Sequence, residues 1–173
     1  MNEIGLENAD GLTVLGLGGN LSGRHATVAH ALEAAAARLP DLGLRLVARS
    51  RWWRSAAWPD PGQPAYLNGV ALVGSRLAPG QILAALRGLE AEFGPRAGPR
   101  NSPRVLDLDL IAHGRDILDT PELTLPHPRA AERLFVMGPL AEIAPLWRHP
   151  VLGMTAETLA RRASVGLDAH PVS

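Results

Sequence analysis

The sequence predicts an α+β fold in which helices pack on an antiparallel sheet in the ferredoxin-like manner. Two segments carry apolar residues at helical spacing, and short apolar runs typical of strands lie before, between and after them. In chain order the elements are βαββαβ, followed by further helical segments. No linker separates two cores, so residues 1–173 are predicted to form a single domain, with a loose arm at 1–11 and a disordered tail at 163–173.

The first half of this unit begins with a buried strand at 13–17, which ends in the turn Gly18-Gly19-Asn20. We assign that turn a structural role only. Residues 24–39 carry an apolar helical stripe that a proline closes. A strand is predicted at 44–55, and the segment 56–64 contains three prolines and must be a loop.

The second half is predicted in the same way, from the spacing of apolar residues and the positions of proline and glycine. It comprises strands at 66–73 and 105–111, a helix from 79 to 94, short extended pieces at 117–125, and helices at 129–143 and 155–162. The helix at 129–143 is predicted to be interrupted near Gly138-Pro139, because proline removes a helical hydrogen bond.

Composition excludes several classes of function. The 17 basic and 17 acidic residues balance, so no global field would attract nucleic acid or an acidic membrane. All the basic residues are arginine, which removes P-loop and Schiff-base lysines, and cysteine is absent. No apolar run reaches transmembrane length and no signal peptide is evident. We therefore predict a cytoplasmic protein that binds neither membrane nor nucleic acid.

The strand at 105–111 carries the main indication of chemistry. Asp107 and Asp109 share one strand face, while the intervening leucines share the other. The two carboxylates lie roughly 6.5–7 Å apart along the strand and repel unless a cation lies between them. A divalent metal such as Mg²⁺ or the neighbouring arginines could supply that charge.

An arginine-rich loop precedes this strand. Residues 94–104 contain Arg96, Arg100 and Arg104, several prolines and glycines, and no acid. A basic loop that runs into paired carboxylates suits a substrate that is both phosphorylated and metal-bound. The alternatives are a solvated strand face, or simple ion pairs between the aspartates and the last two of these arginines.

These residues resemble the signature of the 6-hydroxymethyl-7,8-dihydropterin pyrophosphokinase family of folate biosynthesis. The motif is Arg100-x-x-Pro103-Arg104-x-x-Asp107-Leu108-Asp109-Leu110-Ile111, with Ser102 where glycine or alanine is usual. Other family features occur in the same order, namely Gly18-Gly19-Asn20-Leu21, Tyr66-Leu67-Asn68, Pro126-His127 and Arg133-x-Phe135. The resemblance extends from about residue 13 to about residue 145 and implies helix layers on both faces of the sheet.

The resemblance implies transfer of the diphosphoryl group of ATP to the pterin hydroxymethyl group, with release of AMP. It implies that Asp107 and Asp109 hold two Mg²⁺ ions and act in catalysis with Arg104. ATP, the co-substrate, is expected to contact Arg96, Arg100, Arg104, His127 and Arg133. The pterin is expected to lie between Tyr66 and Phe135, with Asn68 and backbone groups of Ser55, Ala56 and Trp58 at its edge.

The sequence departs from the family pattern in two loops. Ser55-Ala56-Ala57-Trp58 stands where Thr-Pro-Pro and a small apolar residue are common. The arginine loop is one residue shorter than usual and lacks one cation, and Asn101 stands where some members have tryptophan. Two rival hypotheses therefore remain, a non-catalytic ferredoxin-like binding module and a family member that has lost activity. In either case we predict a monomer.

Overall fold

One antiparallel sheet organises the chain. The computed structural model describes residues 6–94 and 98–172. In these ranges the strands are β1 (Thr13–Gly19), β2 (Arg45–Arg49), β3 (Trp53–Ser55), β4 (Tyr66–Gly74), β5 (Asp107–His113), β6 (Leu118–Asp119), β7 (Thr124–Leu125) and β8 (His170–Pro171). The α-helices are α1 (Val28–Arg38), α2 (Pro79–Phe93), α3 (Leu134–Ile143) and α4 (Ala156–Arg162). None of these helices has both the length and the apolar character that a membrane span requires.

The main sheet has the order β5-β1-β4-β3-β8, and β2 also pairs with β4. All of these pairings are antiparallel, which confirms the predicted α+β class with an antiparallel sheet. The strands β6 and β7 form a separate two-stranded ribbon. The central strands are β1 and β4, which are long and buried on both faces.

Side chains of the central strands alternate between two hydrophobic clusters. Ala71 and Val73 of β4 join a cluster that includes the apolar faces of α1 and α2. Val70 and Leu72 join the opposite cluster, which includes α3 and α4. Helices therefore lie on both faces of the sheet.

The predicted first helix begins four residues too early. It starts at Val28, because the hydroxyl of Thr27 accepts a hydrogen bond from the His30 N–H and caps the helix. The second helix was predicted correctly. It begins at Pro79, whose missing N–H costs nothing in the first turn, and its last residue is Phe93.

The single strand predicted at 44–55 is wrong, because β2 and β3 are separate strands. Between them, Ser50 exchanges hydrogen bonds with Val70, and its hydroxyl accepts the Val70 N–H at 2.9 Å. The buried indole of Trp52 then lies against Gly69, where a Cβ atom would be only 2.6 Å from the ring. The ring is accommodated there because residue 69 has no side chain.

The interruption predicted at Gly138-Pro139 is also wrong, since α3 runs without a break through both residues. Val136, Met137 and Leu140 are buried against the sheet and α4. Their burial outweighs the helical hydrogen bond that Pro139 cannot make.

Both ends of the described chain are more ordered than predicted. In the supposed loose arm, residues Leu6–Gly11 form a 3₁₀-helix, Ala9 is buried, and Asp10 accepts the Arg148 N–H at 2.9 Å. The supposed disordered tail follows a defined course to Val172 and contributes β8 to the sheet. Main-chain pairing, which no side-chain pattern indicates, orders this segment.

Gly138 supports a prediction about helix packing. A Cβ atom at this position would lie 2.6 Å from the Trp53 ring, so we expect Gly138→Ala to destabilise the protein by roughly 1–3 kcal/mol. Gly88, in the exposed middle of α2, has nothing within 4 Å of a built Cβ atom. Gly88→Ala is the matched control and should stabilise by about 0.5–1 kcal/mol. Urea denaturation of both variants checks the pair, and equal effects would contradict the assigned contact.

Candidate functional site

The alternation predicted for β5 is confirmed. Leu108 and Leu110 belong to the cluster beneath α1 and α2, while Asp107 and Asp109 point to the other face and line a small cavity with Ile111. Strand β1 pairs with β5 so that Gly18 lies opposite Asp107 and Gly16 lies opposite Asp109. Because these neighbours are glycines, the space above the carboxylates is not filled by side chains of β1.

The same cavity gathers the predicted aromatic and amide residues. Tyr66 and Asn68 reach it from the start of β4, and Phe135 reaches it from the first turn of α3. The Asn68 side chain lies directly over Gly18, where a Cβ atom would come within 2.4 Å of its Oδ1. The cavity is narrow, at about 30 Å³.

A larger cavity of about 570 Å³ lies on the other side of the segment that precedes β5. Its walls are α2 and the described part of the arginine loop, and its basic lining residues are Arg87, Arg100 and Arg104. The exposed Arg100 and the half-buried Arg104 face a space with the size of a ligand pocket. Arg96 lies outside the described residues.

Arg104 connects the two cavities. Its guanidinium lies 3.3 Å from a carboxylate oxygen of Asp107, so the ion-pair alternative is realised for this aspartate. Asp109 forms no ion pair with any arginine of residues 6–94 and 98–172 at that range. An ion pair with an arginine of the loop therefore accounts for Asp107 and leaves Asp109 to a different cation.

Asn20 holds the backbone of Arg104 in place. The Asn20 Oδ1 accepts the Arg104 N–H at 2.8 Å, and the Asn20 N–H donates to the Arg104 carbonyl at 2.8 Å. Its amide also donates to the Pro64 carbonyl at 3.1 Å, and Gln63 donates to the Asn101 carbonyl at 2.9 Å. The turn to which we assigned only a structural role thus ties the arginine loop to the loop at 56–64. The sequence feature that could have indicated this role of Asn20 is a polar residue directly after two glycines.

The environment of Asp109 raises the pKa of its carboxyl group to about 6. Loss of hydration is the main cause, and the negative charge of Asp107 adds to it. The positive charges of Arg87 and Arg133 act in the opposite direction but do not cancel these effects. The site therefore favours an additional cation beside Asp109.

His127 and Arg133 lie on the same side of the site. Burial, together with the charge of Arg133, lowers the pKa of His127 to about 4, so its ring is neutral at pH 7. The His127 Nδ1 accepts the Arg129 N–H at 3.2 Å, which leaves the proton on Nε2. The Arg133 guanidinium lies 5.6 Å from the centre of the Phe135 ring. Arg129 is a further cation here that sequence reasoning missed.

The residues predicted at the pterin edge are only partly assembled. Ser55 is buried at the end of β3, opposite Tyr66, and the Ala56 N–H donates to a carboxylate oxygen of Asp168 at 2.7 Å. Trp58 is 68% exposed and does not line the small cavity. None of these three residues lines the small cavity: Ser55 is paired with Tyr66, which does, Ala56 follows it at the end of β3, and Trp58 lies at the surface.

The carboxylates of Asp107 and Asp109 could bind Mg²⁺ together with a substrate, but the described residues do not form a complete metal site by themselves. Within residues 6–94 and 98–172 there is no group of three or more histidine or acidic side chains that could hold a metal ion. Two carboxylates that share a strand face, one of them 3.3 Å from Arg104 of the arginine-lined cavity, match the way Mg²⁺ is bound, by one or two carboxylates together with substrate phosphates and water. The raised pKa of Asp109 is consistent with such a site.

Fold and site together define an α+β protein with a paired-carboxylate strand between an arginine-lined cavity and an aromatic-lined one. The chain belongs to the 7,8-dihydro-6-hydroxymethylpterin-pyrophosphokinase (HPPK) family, whose model matches residues 14–145. This match confirms the family resemblance that the motifs indicated.

Curated relatives agree with this assignment, and a solved structure shares the fold. A 2-amino-4-hydroxy-6-hydroxymethyldihydropteridine pyrophosphokinase of Synechocystis is 41% identical over 143 residues, which cover 82% of this chain and 71% of the relative. The protein of the same name from Pseudomonas aeruginosa is 39% identical over 155 residues, which cover 90% of this chain and 94% of the relative. The fold resembles Plasmodium falciparum HPPK-DHPS with a TM-score of 0.68 at 12% identity, over 87% of this chain and 43% of that one. The chain thus spans less than half the length of that structure.

Asp109 supports a prediction for the metal-free protein. Because its pKa is raised, the folded state keeps a proton that the unfolded state loses between about pH 4 and pH 6, so its contribution to stability falls as pH rises through this window. We expect Asp109→Asn to stabilise the metal-free protein by roughly 1–2 kcal/mol above pH 6 and by much less at pH 4. Thermal melts in EDTA across this range check the sign. Asp119→Asn, which removes an exposed carboxylate from β6, is the control and should show no such pH dependence.

Proposed function

We propose that this protein transfers the diphosphoryl group of ATP to the hydroxymethyl group of 6-hydroxymethyl-7,8-dihydropterin and releases AMP. Family membership supports the reaction class. The observation that carries the proposal is the position of Asp107 and Asp109, which line the cavity of Tyr66, Asn68 and Phe135, while Arg104 joins Asp107 to the arginine-lined cavity. A phosphate donor and a flat acceptor could meet at these carboxylates.

The larger cavity is the proposed site for ATP. Arg100 and Arg104 line it, and the arginine fork binds phosphate oxygens in pairs. Arg96 is included in this set on its sequence position alone. His127 and Arg133, across the carboxylates, would contact the transferred phosphates. The neutral His127 can donate a hydrogen bond from Nε2 without adding charge, while Arg133 supplies charge that stabilises the transition state.

The smaller cavity is the proposed site for the pterin. Tyr66 and Phe135 would lie against the two faces of the ring, and the Asn68 amide offers a donor and an acceptor to its edge. A volume of about 30 Å³ does not hold a two-ring heterocycle, so the two aromatic side chains have to separate when the ligand binds. Backbone groups of Ser55, Ala56 and Trp58 complete the proposed set.

Asp107 and Asp109 are the residues that would hold Mg²⁺, with two ions as the proposal. When bound, these ions would neutralise the triphosphate and lower the pKa of the acceptor hydroxyl group. The protein itself would orient both substrates, because Asn20 holds the Arg104 backbone and β5 holds the carboxylates. Orientation of the reacting groups is a large part of catalysis in such transfers.

The rival hypotheses are weaker on specific grounds. A binding module for RNA would need clustered aromatic and basic side chains on the sheet, whereas the net charge is zero and the aromatic pair is half-buried in a narrow cavity. Loss of activity would be expected to scatter the carboxylates, arginines and aromatic residues, which remain together. We also propose the ferredoxin-like description for the core from β1 to β5; the monomeric state and the cytoplasmic location stay predictions.

Product analysis tests the reaction. With ATP, Mg²⁺ and 6-hydroxymethyl-7,8-dihydropterin, we expect AMP as the nucleotide product, because attack at the β-phosphorus releases it. Anion-exchange chromatography of a complete reaction distinguishes AMP from ADP. Asp107→Asn and Asp109→Asn should each lower turnover by at least about a hundredfold. ADP as the main product would indicate an ordinary kinase, and the absence of turnover would favour a binding module or a lost activity.

The two halves of the site can be separated by mutation. Tyr66→Ala and Phe135→Ala should weaken pterin binding by about 0.5–1.5 kcal/mol each beyond the lost burial, while affinity for α,β-methylene-ATP stays unchanged. Phe93→Ala is the control, because Phe93 stacks on His25 outside the small cavity, with 5.5 Å between ring centres. Calorimetric titration of each ligand makes the comparison. Equal losses for both ligands in the first two variants would place these aromatic residues in the core and contradict the proposed pocket.

A further inference from the structure

The last described residues, 164–172, run across one side of the candidate pterin pocket, and we call them the C-terminal strap. The strap begins after α4 and lies outside residues 14–145, which the family model matches. At its start, the Val165 N–H donates to the Glu132 carbonyl at 3.0 Å, and the Val165 carbonyl accepts the Leu134 N–H at 2.9 Å. The strap is therefore fastened to the segment that leads into α3 and Phe135.

The other end of the strap is fastened to the edge of the sheet. Strand β8 pairs with β3, with His170 opposite Arg54 and Pro171 opposite Trp53. The Val172 N–H donates to the Trp52 carbonyl at 2.9 Å. Residues 164–172 thus span from one wall of the small cavity, at Phe135, to the strand that ends at Ser55 beside the opposite wall, at Tyr66.

The first specific contact of the strap is made by Gly166. Its φ of +69° is in the left-handed region, and a Cβ atom there would lie 2.5 Å from Cδ1 of Phe135. The strap backbone therefore packs directly against the phenylalanine ring. A side chain at this position would displace the ring, which lines a cavity that is already narrow.

The second contact is made by Asp168. Its carboxylate accepts the Ala56 N–H at 2.7 Å, a charge-assisted hydrogen bond that crosses 112 positions of the sequence. Ala56 is the first residue after β3, and neither it nor Ala57 has a ring that restricts its backbone. Proline at position 56 would have no N–H to donate. The hydrogen bond to Asp168 thus supplies a restraint where the local sequence has none.

We propose that the C-terminal strap is a positioning element for the pterin half of the site, in which Asp168 fixes the backbone at Ala56 and Gly166 sets the position of the Phe135 ring. This inference rests on the proposed function, because the pterin is the ligand whose binding the strap would affect. Neither residue lines the small cavity, so both act through residues that do or that flank it. The start of the strap also lies beside Arg133 of the nucleotide half, with which Val165 forms a β-bridge, whereas the contacts of Asp168 and Gly166 are with Ala56 and Phe135 of the pterin half.

Asp168→Ala provides the first test. We expect the KM for 6-hydroxymethyl-7,8-dihydropterin to rise on the order of tenfold, because a hydrogen bond to a charged group is lost, with the KM for ATP unchanged. Asp116→Ala removes an exposed aspartate that pairs with His113 at the far end of β5, and it should change neither value. In an Ala56→Pro background the donor is absent, so Asp168→Ala should then have no further effect.

Gly166→Ala and Gly153→Ala provide the second test. Both glycines have a φ of +69°, so alanine strains the backbone equally at the two positions, but only the Cβ atom at position 166 would meet another residue within 4 Å. We expect Gly166→Ala to weaken binding of 6-hydroxymethylpterin, measured by calorimetry in the presence of Mg²⁺ and α,β-methylene-ATP. Gly153→Ala should leave that affinity unchanged, and it reports the effect of the backbone strain alone on the melting temperature.

The controls separate failure of this inference from failure of the proposed function. If the unmodified protein does not bind the pterin, the proposed function fails and the strap has no pterin to position. If the unmodified protein binds it and Asp168→Ala and Gly166→Ala bind it equally well, the strap is only structural and the inference is wrong. Equal losses for pterin and nucleotide would also overturn it, because the contacts that Asp168 and Gly166 make lie in the pterin half of the site. A loss confined to the pterin, and absent in the two control variants, supports it.

Discussion

Burial of one face of β5 is the constraint on which the site depends. Three leucines, at 106, 108 and 110, are buried beneath α1 and α2, and each stabilises the fold by roughly 1.5–3 kcal/mol. Strand alternation then leaves Asp107 and Asp109 together on the other face. Their mutual repulsion at about 6.5 Å is roughly 2.5 kcal/mol at an effective dielectric constant of 20. The leucines outweigh this repulsion, so the core holds two like charges side by side.

Glycines of β1 keep the two carboxylates accessible, and Asn20 positions the segment that precedes them. Gly16 and Gly18 leave the carboxylates uncovered, and a side chain at Gly19 would lie only 2.2 Å from the Val105 carbonyl. That close approach allows Asn20 to hold the backbone of Arg104 from both sides. The same turn therefore sets the position of the carboxylate strand and of the arginine that precedes it.

Local patterns predicted the parts of the protein that local chemistry determines. The alternation of β5 and the start of α2 at Pro79 could be anticipated from residue type and spacing. The convergence of Tyr66 with Phe135 at the carboxylates was implied by the family resemblance alone. The failures have long-range causes. The break between β2 and β3 depends on the contact of Trp52 with Gly69, and α3 continues through Pro139 because its neighbours are buried. The C-terminal strap is ordered by main-chain hydrogen bonds, which leave no pattern in the side chains.

The ion pair between Arg104 and Asp107 connects the two cavities and is weak enough to break when ligands bind. Its side chains are 21% and 33% exposed, and the nitrogen–oxygen distance of 3.3 Å is longer than that of a well-formed charged hydrogen bond. Such a pair contributes about 0–1 kcal/mol, which is less than a phosphate group or a divalent cation would gain from either partner. The pair therefore balances the charge of Asp107, and breaking it costs little free energy. Under the proposed function, Arg104 would turn to the nucleotide and Asp107 to the metal, so this weak interaction would link occupation of the arginine-lined cavity to the release of Asp107 from Arg104.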